Sequence, residues 1–316
     1  MRYAGWLCSA VLIVLLGAPP FQGNATAKEL YGERYCDQEG FHCIKVVRNR
    51  KRSVKMEDGS VKKLGRYAVE NLTTGEATYL DKSPSWESLW PDEREREIVR
   101  RLNRMNIRLR RNRVIAVPAD MTGKTFMDYA PFSPAMETGG EKLIVFDPAE
   151  VAWGAYNEEG KLVKWGPGAG GKRYCPDTGR ACRTVVGDDF KILSKAGPNR
   201  RSDRYPPPRG GAPMPYYMPF YTTNYGFHGS PTVPGQNASH GCVRMFNEDA
   251  KWMNREFAEV GTRVVVLPYE DQKKAALKKK QEEEQAAAEQ EKGSSKEPQT
   301  ALFKTDTDSK KEKGVD

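Results

Sequence analysis

The sequence has few residues that could bind a metal through sulfur or imidazole. It contains six cysteines and three histidines among 316 residues. No two cysteines are separated by only two to four residues, and the histidines do not complete a ligand set with them. Structural zinc sites depend on closely spaced ligands of these types. The cysteine spacing therefore excludes a zinc knuckle.

Long apolar runs are also missing. The run over residues 4–17 is too short to cross a bilayer, which requires about 20 apolar residues. Arg2 precedes this run, and the small-x-small motif Ala25-Thr26-Ala27 follows it. This order is typical of a secretory signal peptide, so we predict a signal peptide over residues 1–27, with an uncleaved anchor as the alternative. The mature protein is then expected in the periplasm or cell envelope.

Acidic residues are fewer than basic ones. The chain has 42 Asp and Glu against 51 Lys and Arg, a formal net charge of +9. Such a balance favours an anionic partner. An exported protein rarely meets nucleic acid, so an anionic envelope polymer is the partner that we predict. A merely solvated basic surface is the alternative.

Cys8 lies in the predicted signal peptide, and the five cysteines that remain after its removal fall into two groups. Cys36 and Cys43 share the spacing Cys-x6-Cys with Cys175 and Cys182. Four cysteines allow three pairings, and in an oxidising compartment we favour the two local disulfides. Cys242 is left without a partner, which in an exported protein indicates either an intermolecular bond or a reactive thiol.

Two of the three histidines lie close to this unpaired cysteine. His228-Gly229 precedes the string Ser239-His240-Gly241-Cys242 by ten residues. An imidazole can accept the proton of a nearby thiol at neutral pH, which generates a nucleophilic thiolate. This segment therefore predicts nucleophilic chemistry at Cys242.

The N-terminal third divides into two parts by composition. Residues 28–80 are basic and predict a small region that a disulfide stabilises. In residues 81–120, Asp92 and Glu95 are spaced as in a capping box, and Ile98, Leu102 and Met105 fall on one helical face. Residues 113–118 predict a strand.

The central part of the chain is predicted to be mostly β. Asn247 is expected to cap a helix over residues 248–260, the main helix of this domain. Residues 198–225 are rich in proline and aromatic residues and predict a long loop over the site. Residues 269–316 form a charged low-complexity tail that we predict to be disordered, although its first half could be a solvated helix. Strands are predicted at residues 142–147, 151–156, 162–165, 191–193 and 262–267.

The string Ser239-His240-Gly241-Cys242-x-Arg244, with His228-Gly229 upstream, resembles the catalytic domain of L,D-transpeptidases, the YkuD family. The resemblance extends over residues 141–268. It implies a β-sandwich-like domain with one main helix, preceded in the chain by a small α+β N-terminal region. Residues 102–118 also resemble a degenerate LysM module, a peptidoglycan-binding βααβ unit. A helix–strand element that only packs on the main domain is the alternative for that segment.

The YkuD resemblance also implies a role for each matching residue. Cys242 is the nucleophile, His228 is the general base, and the Gly229 carbonyl orients the imidazole. The backbone at His240, Gly241 and Cys242 forms an oxyanion hole. Substrate contacts are expected from Ser239, Arg244 and Tyr225, and no metal or organic cofactor is needed.

The implied reaction is an acyl transfer on peptidoglycan. Cys242 attacks the amide between the L-centre of the third residue and the terminal D-Ala of a tetrapeptide stem. The thioester then passes to an amine of another stem, giving a 3→3 cross-link, or to an envelope protein. Water as acceptor would make the protein an L,D-carboxypeptidase, and a non-catalytic peptidoglycan-binding surface protein is a further alternative. A carbapenem is expected to acylate Cys242.

One segment departs from the family pattern. The common Thr-Pro-x-Gly-x-Phe motif is replaced here by residues 184–190, which lack the proline and carry an extra residue before Phe190. The residues around Cys175 and Cys182 form a loop that a minimal domain does not have. The resemblance therefore leaves the shape of the substrate groove open.

Overall fold

The N-terminal part of the fold is a four-stranded sheet with two helices. The computed structural model describes residues 30–51, 53–206, 208–222 and 224–294, so the signal peptide predicted over residues 1–27 lies outside the described residues. The sheet has the order β5-β4-β1-β6, and the short hairpin β2-β3 stands apart from it. The elements of this part are β1 (Phe41–Arg48), β2 (Ser53–Lys55), β3 (Val61–Lys63), β4 (Tyr67–Asn71), β5 (Ala77–Leu80), α1 (Trp86–Leu89), α2 (Glu93–Leu102) and β6 (Val114–Pro118).

Helix α2 forms where the sequence predicts it. The Asp92 side chain accepts a hydrogen bond from the backbone N–H of Glu95 and so caps the first turn. Ile98 and Leu102 are buried on its inner face. The helix ends at Leu102, and Met105 lies beyond it in an isolated bridge to Pro234 of the following domain.

Strands from both N-terminal segments share one sheet. β1 lies between β4 and β6 and pairs antiparallel with each. β5, the strand just before the helices, lies at the opposite edge from β6, the strand just after them. Residues from β1 and β4 are buried together with residues from α2 and β6 in one hydrophobic cluster. The LysM resemblance stays a prediction.

A larger sheet carries the second part of the fold, whose mostly β character the sequence predicts correctly. Its order is β10-β14-β7-β8-β9-β13-β12-β11. The two outer strands approach each other, because the N–H of Leu193 just beyond β10 donates to the carbonyl of Pro219 in β11 at 2.8 Å. The strands are β7 (Leu143–Asp147), β8 (Ala152–Tyr156), β9 (Leu162–Ala169), β10 (Gly187–Lys191), β11 (Met218–Tyr221), β12 (Tyr225–Gly229), β13 (Val243–Met245) and β14 (Arg263–Val266).

The interior of this nearly closed sheet is filled by large side chains. Trp153, Phe227 and Met253 are fully buried there. Each such side chain removes enough apolar surface from water to contribute about 2 to 3 kcal/mol. The resulting core gives β12 and β13 a rigid support.

The main helix of the domain is shorter than the sequence predicts. α3 runs over Asn247–Trp252, and Asn247 is its first helical residue, whereas Phe246 occupies the cap position. A π-helical turn over Met253–Phe257 follows, closed by a hydrogen bond from the Ala258 N–H to the Met253 carbonyl. This wider turn places Met253 and Phe257 in the core, and the backbone leaves the helix at Ala258 instead of Val260.

Two other predictions of irregular structure need correction. The loop predicted over residues 198–225 contains β11, whose Pro219 is tolerated because β11 is the last strand of the sheet. In the tail predicted to be disordered over residues 269–316, the first half forms helix α4 (Glu270–Ser294), the solvated helix that was the alternative for it, and residues 295–316 lie outside the described residues. Lys and Glu four residues apart pair along α4, which stabilises a solvated helix.

None of the helices in the described parts of the chain is both long and apolar enough to cross a membrane.

A buried ion pair joins the two parts of the fold. Arg101 of α2 binds both carboxylate oxygens of Asp249 in α3, each at 2.8 Å. Their side chains are 3% and 0% exposed. Arg101 also donates to the Trp165 carbonyl, and its guanidinium stacks over the Phe126 ring. A bidentate pair with additional partners is the geometry that can offset the desolvation of two buried charges.

Loss of Asp249 is expected to destabilise the whole chain. The variant Asp249→Ala leaves the Arg101 guanidinium buried without its main counter-charge, which costs about 3 to 5 kcal/mol. The free energy of unfolding in urea measures this effect. Glu259→Ala, which removes the exposed partner of Lys142, is the control and should change the free energy of unfolding far less. Equal effects of the two variants would contradict this account of the interface.

Candidate active site

The register of two strands brings together the His-Gly motif and the Ser-His-Gly-Cys motif of the sequence. β12 and β13 run parallel, with His228 opposite Arg244 and Phe227 opposite Val243. Cys242 directly precedes β13 and therefore lies beside Gly226. Because side chains alternate between the two faces of a sheet, Cys242, His228 and Arg244 project from the same face.

His228 is buried and held by its own neighbour. Its side chain is 6% exposed, and Nδ1 lies 2.8 Å from the Gly229 carbonyl oxygen. A carbonyl can only accept, so in the neutral ring Nδ1 carries the proton and Nε2 is free to accept one. Burial lowers the pKa of His228 to about 4, against the opposing effect of the Gly229 hydrogen bond. The imidazole is therefore neutral at pH 7.

The Cys242 thiol is half-buried and unoxidised. Its Sγ donates to the Asn224 carbonyl at 3.4 Å in this structure, and it also shares a hydrogen bond with the Tyr217 side chain. Burial raises the pKa of Cys242 to about 11, and contacts with the Gly226 backbone, Tyr217 and Arg244 act in the opposite direction. With its pKa raised in this way, the thiol is expected to be protonated at pH 7.

Arg244 supplies the positive charge nearest to this thiol. Its guanidinium lies in a partly buried position, and burial lowers its pKa while the Cys242 sulfur raises it. None of the carboxylates that the structure describes forms an ion pair with Arg244. The cation is thus available to an anion that enters the site.

A network of hydrogen bonds shapes the loop before Cys242. The Ser239 hydroxyl donates to the Cys242 carbonyl and accepts from the Gly241 N–H at 3.0 Å. Thr184 donates to the Gly241 carbonyl at 2.8 Å. Gly241 has a φ of +133°, and a Cβ there would lie 2.7 Å from the Tyr225 ring, so only glycine fits. The Gly241 N–H is therefore occupied by the Ser239 hydroxyl and is not available to a ligand.

The imidazole of His240 contacts other loops instead of the thiol. Its Nε2 lies 2.6 Å from an Asp177 carboxylate oxygen, and its ring stacks on Tyr205 at 4.3 Å between centroids. Asp177 lies in the loop that the predicted Cys175–Cys182 disulfide closes; that disulfide and Cys36–Cys43 are both present. Cys175, Asp177 and His240 are close together, but the Cys175 sulfur is bonded to Cys182, which rules out its use as a metal ligand.

The four tyrosines within residues 216–225 differ in their contacts. Tyr217 is buried beside the site, with its ring 6.4 Å from that of His228, and burial raises its pKa. Tyr225 packs against Gly241, and Tyr221 packs on Tyr225 at the sheet edge. Tyr216 lies near Arg255. Only Tyr217 contacts the thiol, and nothing in its sequence context distinguishes it from the other three.

The segment that departs from the family pattern has a structural explanation. Thr184 donates to the Gly241 carbonyl in the loop before Cys242 and also accepts from the Gly171 N–H. The pairing of β10 with β14 shifts its register between Gly187 and Phe190. A β-bulge accommodates one extra residue in a strand. The extra residue predicted before Phe190 therefore falls at an irregularity of the sheet and leaves Thr184 against the loop.

Residues 141–266 match the YkuD family model, the L,D-transpeptidase catalytic domain. The chain therefore contains a domain of this family, as its motif predicts.

Several solved structures of L,D-transpeptidases are similar to part of the chain. The enzyme from Xylanimonas cellulosilytica is 24% identical over 43% of this chain and 64% of its own, with a TM-score of 0.36. The enzyme from Stackebrandtia nassauensis is 22% identical over 44% and 62%, also with a TM-score of 0.36. L,D-transpeptidase 3 from Mycobacterium tuberculosis, solved with a faropenem-derived adduct, is 21% identical over 50% and 75%, with a TM-score of 0.34. The chain spans less than two thirds of the length of the first two. No curated protein is significantly similar to the chain.

The low pKa of His228 is expected to make stability depend on pH. Its pKa is about 4 in the folded protein, against the ordinary value of 6.5 that applies to the unfolded chain. Between these values the unfolded chain binds a proton that the folded chain excludes, so stability falls as the pH decreases from about 6.5 to 4. The loss from pH 7 to pH 5 should be about 2 kcal/mol.

Unfolding in urea at the two pH values measures this loss. His228→Gln removes the titrating group and should reduce the difference by about 2 kcal/mol. His42→Gln, which changes a histidine outside the site, should retain it. The same pH dependence in both variants would show that His228 is not the group responsible.

Proposed function

We propose that the protein is an exported peptidoglycan L,D-transpeptidase that acts in the periplasm or cell envelope. The observation that carries the proposal is the pairing of β12 with β13, which places His228 and Cys242 on one face beside an unpaired Arg244. The family match at residues 141–266 supports the same reaction class. Export is supported only by the sequence of residues 1–27.

In the first step Cys242 becomes acylated. The thiol turns away from the Asn224 carbonyl and transfers its proton to Nε2 of His228, the nitrogen that the Gly229 contact leaves free. Sγ attacks the carbonyl carbon between the L-centre of the third residue and the terminal D-Ala of a tetrapeptide stem. The C–N bond breaks, D-Ala leaves with the proton from His228, and a thioester remains.

The loop of residues 239–242 stabilises the negative oxygen of the tetrahedral intermediate. The N–H groups of His240 and Cys242 are the donors, held in place by the contacts of Ser239 and Thr184. Preorganised donors of this kind typically contribute about 3 to 4 kcal/mol each to transition-state stabilisation. Tyr217 adds a hydroxyl next to the sulfur.

Substrate recognition is assigned to charged and aromatic side chains around the thiol. Arg244 binds a stem-peptide carboxylate, for which a guanidinium is suited. Tyr225 forms the wall opposite Gly241, and Ser239 keeps the loop in the shape that the substrate meets.

In the second step an amine attacks the thioester. His228 takes the proton of the amine and returns it to sulfur, so the enzyme regains its starting state. An amine of another stem gives a 3→3 cross-link, and an amine of an envelope protein gives a protein–wall linkage. Water as acceptor would give an L,D-carboxypeptidase.

Replacement of Cys242 tests the reaction directly. Cys242→Ala removes the nucleophile, so 3→3 cross-linked muropeptides should no longer form from tetrapeptide stems, as judged by mass spectrometry. His228→Ala should lower the rate by about 100-fold or more, because it removes the general base that accepts the thiol proton. His42→Ala is the matched control and should retain the wild-type rate.

A carbapenem gives a second measurement on the same variants. The thiolate opens the strained lactam, so the wild type should gain the mass of one carbapenem molecule and Cys242→Ala should gain none. Cross-linking by Cys242→Ala would contradict the proposal. Binding of the wild type to isolated sacculi without turnover would instead support a non-catalytic wall-binding protein, and tripeptide as the main product would support the carboxypeptidase.

Asp177 is expected to hold the catalytic loop through His240. Asp177→Ala removes the carboxylate that lies 2.6 Å from the imidazole, so the oxyanion donors next to it lose their fixed position. The rate of acylation by a carbapenem should fall by about tenfold or more. Alkylation of Cys242 by a small neutral reagent, which needs no oxyanion hole, should be unchanged.

Asp189→Ala is the control for this experiment, because Asp189 is exposed and lies on β10. It should retain the wild-type acylation rate. Unchanged acylation in Asp177→Ala would remove any role of the Cys175–Cys182 loop in positioning the site.

A further inference from the structure

A cavity lies in the N-terminal part of the fold. It has a volume of about 830 Å³ and is formed by the end of β1 with the residues after it, the segment from the end of β3 to the residue before β4, and the turn before β6. Six of its eleven lining residues are Arg or Lys and none is Asp or Glu, so its charge is of one sign. These cations are Arg48, Arg50, Lys51, Lys63, Arg66 and Arg111; we call this cavity the basic cleft.

The cations of the basic cleft have no acidic partners among the residues that the structure describes. None of the six forms an ion pair, whereas Lys278, Lys279 and Lys280 of the solvated helix α4 each pair with a glutamate. Like charges that converge without counter-charges repel one another and raise the local potential. The arrangement is therefore poised to bind an anion.

The backbone of the basic cleft is well ordered by hydrogen bonds. The Asn49 side chain donates to the carbonyls of Lys51 and Gly65, and the Asn49 N–H donates to the Arg66 carbonyl. Opposite them, the Asn112 N–H donates to the Val46 carbonyl. The cleft wall is thus set before a ligand arrives, which lowers the entropic cost of binding.

The chemistry of the lining favours phosphate groups. Arg48, Arg50, Arg66 and Arg111 each present a planar fork of donors, which binds phosphate oxygens in pairs. A cavity of about 830 Å³ is within the range of about 300 to 1,000 Å³ that holds a drug-sized ligand. The cavity therefore has room for more than one phosphate group.

The neighbouring hairpin argues against insertion into a membrane. Val54 and Val61 are exposed, but in the β2–β3 register Val54 faces Lys62 and Val61 faces Lys55, so the two valines lie on opposite faces. The turn between the strands carries Glu57 and Asp58. A membrane-binding hairpin would need one apolar face and a tip without acidic residues.

We propose that the basic cleft binds a soluble or polymer-borne anion that carries several phosphate groups. This site is separate from Cys242 and does not depend on the reaction proposed there. It gives the positive net charge of the chain a specific location.

Isothermal titration calorimetry of the full chain with inorganic tripolyphosphate tests the proposal. The wild type should bind, and its affinity should fall between about 50 and 200 mM salt, because the exposed charges are screened. The triple variant Arg48→Ser/Arg66→Ser/Arg111→Ser should bind about tenfold more weakly or worse, since charge-assisted hydrogen bonds are lost. Arg48→Lys/Arg66→Lys/Arg111→Lys keeps the charge and should recover part of the affinity.

The control variant is Lys278→Ser/Lys279→Ser/Lys280→Ser, which removes the same three charges from α4. It should bind like the wild type, and all variants should keep the wild-type melting temperature because the changed side chains are exposed. Equal loss in the α4 variant would reduce the effect to net charge and overturn the proposal. Citrate binding as tight as that of tripolyphosphate would contradict the assignment to phosphate. Binding to phosphatidylglycerol vesicles without binding to tripolyphosphate would overturn it in favour of a membrane surface.

Discussion

The parallel pairing of β12 with β13 is the constraint on which the candidate site depends. A shift by one residue in this register would move Cys242 to the opposite face from His228, because side chains alternate along a strand. Phe227 and Val243, which face each other across the pair, are fully buried in the core and resist such a shift. Parallel strands cannot be joined by a tight turn. The connection of residues 230–242 is long for this reason, and its end forms the hydrogen-bonded loop before β13.

The N-terminal part forms hydrogen bonds with the segments that directly follow β12 and β13. Asn106 donates to the Ser230 carbonyl at 2.9 Å and accepts from the Val233 N–H at 2.8 Å, just after β12. Arg101 binds Asp249 in the first turn of α3, just after β13. The Gly229 carbonyl that orients His228 directly precedes the segment that Asn106 holds. These contacts of the N-terminal part stabilise the geometry of the site, independently of any ligand that the N-terminal part binds.

Much of this arrangement follows from the sequence, but the decisive pairing does not. The motif around Cys242, the two local disulfides and helix α2 with its Asp92 cap are all predictable, because each depends on residues close together in the chain. β11 and the contact between β12 and β13 are not, since β11 contains Pro219, β12 contains two glycines and β13 is only three residues long, too short for a pattern. The contacts of Asp177 with His240 and of Tyr217 with Cys242 were not predicted for a related reason, since the partners are distant in sequence. The predicted length of α3 was too great because the apolar spacing continues through a π-helical turn that only tertiary packing selects.

The protonation states at the site constrain how the proposed reaction begins. With pKa values of about 11 for Cys242 and about 4 for His228, moving the proton from sulfur to nitrogen costs on the order of 10 kcal/mol for the separated groups. Two opposite unit charges about 4 Å apart attract each other by about 4 kcal/mol in a protein environment. If substrate binding brings the two groups to that separation, the ion pair lies about 6 kcal/mol above the neutral pair, which is well below the barrier of about 16 kcal/mol for a turnover of about ten per second. A resting ion pair is therefore unnecessary for the proposed reaction: proton transfer to His228 can be part of the attack itself, and a neutral thiol is less reactive towards oxidants than a thiolate.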